Sequence, residues 1–84
     1  KIMEKITVGV DGMMCGHCEA HVNDAVRNAL KVKKVSSSHA KKETVIIAEE
    51  GLTDEQIKST IDATGYTVTG ISREPYVKKG LFGF

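Results

Sequence analysis

Tryptophan is absent from this 84-residue chain, proline occurs once, and aromatic residues make up only 5% of it. Any core it builds is therefore aliphatic. No apolar run approaches the about 20 residues that cross a bilayer as a helix, which argues against direct membrane insertion. The N-terminal residues lack the hydrophobic centre of a secretory signal, so the chain reads as cytoplasmic. Charge of one sign is also lacking. Twelve basic against eleven acidic side chains leave a formal net charge of +1, too evenly mixed to favour nucleic acid or a membrane surface as partner. The lysine pairs Lys33-Lys34, Lys41-Lys42 and Lys78-Lys79 read as solvated turns and strand ends. Cysteine is limited to two residues so close together that a disulfide between them would close a tiny loop and add little stability.

What is present suits one small folded domain. Apolar residues at 40% and charged residues at 27% are ordinary for a globular protein, and the length lies near the lower limit for a self-sufficient hydrophobic core. Ile6, Val8 and Val10 alternate with Thr7 and Gly9, which predicts a half-buried strand over Ile2 to Val10. Cys18, Val22, Ala25, Val26, Ala29 and Leu30 then fall on one helical stripe, predicting a helix from Gly16 to Leu30. Val32 to Ala40 and Glu43 to Ala48 read as a hairpin turning at Lys41-Lys42. The polar run Ser36-Ser37-Ser38-His39 marks its first strand as partly wet or an edge, whereas Val45-Ile46-Ile47 marks the second as central.

Leu52-Thr53-Asp54-Glu55-Gln56-Ile57 carries a capping box, with Leu52 able to staple onto Ile57. The second helix is expected to bury Ile57, Thr60, Ile61 and Thr64 and to end at Gly65. A last strand runs from Tyr66 to about Ser72 with a bulge at Gly70, and Pro75 is expected to stop regular pairing. The order strand, helix, strand, strand, helix, strand predicts an α+β ferredoxin-like βαββαβ sandwich, a four-stranded antiparallel sheet with both helices on one face. The domain spans 1–73, and 74–84 reads as a tail, either disordered or docked through Leu81, Phe82 and Phe84.

The chain is organised around Gly12-Met13-Met14-Cys15-Gly16-His17-Cys18, where a strand pattern gives way to a helix pattern. Two thiolates at this spacing converge on one ion when the first lies in a loop and the second in the first turn of a helix. A helix start also lowers thiol pKa values. Incidental thiols and a dithiol redox centre compete with this reading. No tryptophan precedes Cys15 and no proline lies near the turn after the second helix, which disfavours the redox centre. Soft sulfur donors select Cu(I), Zn(II), Hg(II) or Cd(II). Two thiolates alone suit linear or trigonal Cu(I), whereas structural zinc asks for four ligands and would need His17 and His21 as well. His17 is an auxiliary ligand or a solvated loop residue, and His39 reads as structural. Met14 is exposed and suits packing against a partner more than ligation. Tyr66 contacts a thiolate, covers the loop edge, or does both.

Gly12, Met13, Cys15 and Cys18 match in full the Gly-Met-x-Cys-x-x-Cys signature of the heavy-metal-associated domain family. The resemblance extends over about residues 4 to 72 and includes Gly65-Tyr66. It implies that Cys15 and Cys18 bind Cu(I) or another soft ion, that Met13 packs beneath the loop, and that the protein transports metal by ligand exchange without acting as an enzyme. A tyrosine at Tyr66 resembles the bacterial copper chaperones of the family more than the domains built into copper-pumping ATPases. The implied partner is a metal-transporting P-type ATPase or a domain of similar fold. A homodimer bridged by metal is a further expectation.

Overall fold

The computed structural model describes residues 3–49 and 51–76. Ile2 and the segment 77–84, on which the expectations of a strand start and a tail fell, lie outside the described residues. Six elements follow in the order β1 (Met3–Asp11), α1 (Gly16–Ala29), β2 (Lys34–Ser38), β3 (Glu43–Glu49), α2 (Asp54–Asp62) and β4 (Thr67–Tyr76). The strands form one antiparallel sheet in the order β2-β3-β1-β4, with α1 packed on β2, α2 on β4, and the helices against each other. This is the expected ferredoxin-like sandwich.

Alternation places the core. Ile6, Val8 and Val10 of β1 are fully buried, as are Ile46 and Ala48 of β3, and they meet Val22 and Val26 from α1 and Ile57 and Ile61 from α2. Burying such a branched aliphatic side chain is worth about 1.5–3 kcal/mol. The stripe expected on α1 is narrower than its spacing suggested: Ala29 is exposed and only Val22 and Val26 are fully covered. Thr60 on α2 and Thr64 just after it are half-buried, not core.

The edge strand β2 is shorter than expected and stops at Ser38, because His39 to Lys42 form the turn. Its polar content has a use. Thr44 of β3 is fully buried and meets Ser37 Oγ at 2.9 Å, while the Ser37 hydroxyl donates to Asn23 Oδ1 of α1 at 2.7 Å. A hydroxyl has one proton to give, so Thr44 is the donor to Ser37.

At the other edge, β4 runs through Pro75, which sits opposite Glu4, as far as Tyr76 opposite Met3. The expectation that Pro75 ends pairing is corrected: on an edge strand the missing N–H can face outward and no ladder bond is lost. The bulge lies one residue before Gly70, where the register steps from Gly9–Gly70 to Val10–Val68 across Thr69.

The capping box on α2 forms as read from the sequence, with Gln56 N–H donating to Thr53 Oγ1 at 3.1 Å and Thr53 N–H to Gln56 Oε1 at 2.9 Å. Arg73 then ties α2 to the sheet. Its Nη2 lies 2.6 Å from Asp54 Oδ1 and its Nη1 2.9 Å from Glu4 Oε1.

Candidate metal centre

The stretch from Gly12 to Cys18 spans the gap between β1 and α1 at one end of the sheet. Met13, placed under the loop by the sequence reading, is buried and joins the core cluster. It anchors the loop from below, so the residues after it stand at the surface. Met14 is 78% exposed, Cys15 and His17 are exposed, and Cys18 is half-buried against the core.

Cys15 is the N-cap of α1 and has extended backbone. Its carbonyl accepts the Cys18 N–H at 3.1 Å and the Glu19 N–H at 3.2 Å, but its side chain makes no capping bond. The thiol is thereby left for other chemistry. Both cysteines are free thiols, and they lie within hydrogen-bonding reach of each other.

Tyr66 completes the arrangement. Gly65, at φ +96°, turns the chain after α2 and delivers the tyrosine to the loop. Gly12, at φ +111°, passes so close to the ring that a Cβ there would stand 2.9 Å from Tyr66 Cδ1. Only glycine satisfies both conditions. The Tyr66 hydroxyl donates to the Cys18 sulfur, which is the largest reason that the Cys18 thiol is lowered from 9.0 to about 7. The Met14 N–H adds to it, partial burial opposes it, and the Cys15 N–H and thiol contribute less. The same bond raises the Tyr66 phenol above its ordinary value. The largest of these influences thus comes from a tyrosine distant in sequence.

The histidines do not close a cage. His21 presents its ring to Tyr66 at 6.2 Å, nearly perpendicular, and His39 bonds Glu19. Among the described residues, no group of three or more His, Cys, Asp or Glu side chains stands in metal-holding geometry. The four-ligand zinc arrangement with His17 and His21 is therefore not assembled in this structure. Sequence reading does not reach the role of Glu19: its contact with His39 spans 20 positions, and nothing local signals it.

Among the described residues, no helix is long and apolar enough to cross a membrane.

Comparison with solved structures finds the same fold in metal-handling proteins. A CopZ metallochaperone superposes with a TM-score of 0.72 at 26% identity, covering 77% of this chain and 98% of that one. A copper-binding domain from HMA7, a P-type ATPase, gives a TM-score of 0.70 at 27% identity over 90% of this chain and 97% of its own. The N-terminal domain of ZntA in its apo form gives 0.67 at 25% identity over 89% and 94%. No curated protein sequence matches the chain significantly. The heavy-metal-associated domain model matches residues 7–67, a span that holds the loop, both cysteines and Tyr66, and the chain belongs to that family of metal-binding carrier domains.

Proposed function

We propose that this protein holds Cu(I) between Cys15 and Cys18 and passes it to a partner domain by exchanging one thiolate at a time. The observation that carries this reading is the convergence of two free thiols at an exposed loop without a third donor group among the described residues. A soft ion held by two sulfurs keeps coordination positions open to an incoming thiolate, whereas a closed four-ligand cage denies that access. Each thiol gives up its proton as the ion binds. Cys18, already lowered to about 7, is the better-prepared ligand; Cys15, exposed at the N-cap, is the one a partner reaches first.

The similarity to a CopZ metallochaperone and to a copper-binding domain of a P-type ATPase supports copper as the cargo and such an ATPase, or a domain of like fold, as the partner. In this reading the protein works as a carrier in the reducing cytoplasm and transforms no substrate. Two copies bridged through their cysteine pairs form at high concentration. A second reading, a metal-binding module of a larger transporter with zinc as cargo, is favoured by the similarity to the ZntA domain, for which a Zn(II) form is also known at 25% identity. The longer reading frame separates the two settings. Hg(II) and Cd(II) suit the same donors.

The test is a titration of the reduced protein with Cu(I) against a competing chelator, run beside Cys15→Ser and Cys18→Ser. Loss of tight binding in both variants is expected; tight binding retained by both would overturn the proposal.

A further inference from the structure

The loop carrying the two cysteines leaves β1 and enters α1, and a single element holds both of its flanks. Upstream, the Val10 N–H, at the last core position before the loop, donates to the Lys42 carbonyl at 2.8 Å. Downstream, Glu19, next to Cys18 in the first turn of α1, accepts the His39 N–H on Oε2 at 2.8 Å and meets His39 Nδ1 with the same oxygen at 2.6 Å. His39 and Lys42 are the two ends of the β2–β3 turn. Lys42 has φ +55°, a left-handed conformation uncommon in residues with a side chain, and it is the residue whose carbonyl reaches Val10.

This bracket adds to the support that Met13 gives from beneath the loop and Tyr66 from beside it. Cys15 contributes no side-chain bond to the start of α1, and its carbonyl closes the first turn by accepting two backbone bonds. A small rotation of α1 about its axis would swing the Cys18 sulfur relative to both the Tyr66 hydroxyl and the Cys15 sulfur. The Glu19 carboxylate, held by two donors on one residue of another element, opposes that rotation. Hydrogen bonds to a carboxylate are among the stronger ones, and Glu19 is only one-quarter exposed.

We propose that the β2–β3 turn is the positioning device of the cysteine loop, and that Glu19 and His39 are positioning residues that set how the two sulfurs face a bound ion. This rests on the reading of Cys15 and Cys18 as the ligand pair. Neither positioning residue contacts the ion. Glu19 acts by fixing the rotation of α1, and His39 by fixing Glu19.

The experiment compares Cu(I) affinity and chelator-driven release in the full chain and four variants. Glu19→Ala removes both bonds and is expected to weaken binding about tenfold, at the lower edge of what outer-shell partners of metal ligands contribute, and to speed release. Glu19→Gln keeps an acceptor for the His39 N–H without the charge, and is expected to recover most of that loss, which separates positioning from a charge effect. His39→Ala keeps the backbone N–H bond and falls between the two. Arg73→Ala removes the Asp54 and Glu4 ion pairs and is the control for stability alone: a lowered Tm with unchanged affinity. Wild-type affinity and release in Glu19→Ala, or an equal loss in Arg73→Ala, would overturn the proposal. Failure of the wild-type chain to hold Cu(I) would instead overturn the ligand reading beneath it.

Discussion

Tyr66 and Gly12 act as a pair, and the chemistry of Cys18 depends on both. Replacing Tyr66 with Phe keeps the ring against the loop but deletes the largest influence that lowers the Cys18 thiol, so its titration midpoint is expected to rise from about 7 toward 9, followed by thiolate ultraviolet absorbance. The sign for stability follows. A thiol lowered in the folded state stabilises the fold above its unfolded value of about 9, and that contribution is lost as pH falls through about 7. Chemical denaturation of the metal-free wild type should therefore show stability declining over that window, and Tyr66→Phe should show a weaker decline. Gly12→Ala meets both a positive φ and the tyrosine ring. It is expected to cost about 1–3 kcal/mol and to disturb the Cys18 titration together with the fold, a combination that Tyr66→Phe lacks. At this scale the sequence disclosed the local part. The glycine, methionine and cysteine positions all lie within seven consecutive residues, and their spacing has direct geometric meaning. The direction of the Tyr66 hydroxyl depends on how β4 packs beside β1, which no local pattern contains.

Elements show the same division between local and long-range signals. The capping box at Thr53 and Gln56 was legible because its two bonds join residues three apart. Thr53→Ala is expected to cost about 1 kcal/mol in urea denaturation. The polar run in β2 announced an edge, and β2 is one. Its purpose was not announced, because the partners of Ser37 lie on α1 and β3. Ser37→Ala leaves the buried Thr44 hydroxyl without its acceptor and is expected to cost about 1–3 kcal/mol, more than an exposed serine on an edge strand would; Ser36→Ala, an exposed neighbour, is the control, with little change. Pro75 misled for a related reason. A proline forbids pairing only on the side its nitrogen faces, and whether β4 is an edge or a central strand is a property of the sheet order.

As a whole molecule, the protein is a small aliphatic sandwich that supports one exposed loop through a buried methionine, a tyrosine just before β4 and a turn between β2 and β3. Alternation and helical period, together with the capping box of α2, disclosed the order of elements, with β2 marked by a polar run in place of a repeat. Truncating Ile46, fully buried in β3, to Ala is expected to cost about 2–5 kcal/mol, read as a lowered denaturation midpoint, while leaving the two thiols unaltered in the fraction that stays folded. The division of labour is plain: the sheet and helices hold the fold, and the loop at their end holds the sulfurs near each other. The measurement that bears most directly on the central claim is X-ray absorption at the copper edge of the dilute, Cu(I)-loaded chain. The account predicts a first shell of sulfur alone, with two scatterers supplied by Cys15 and Cys18. A shell containing imidazole nitrogen, or one unaltered when both cysteines are replaced by serine, would contradict it.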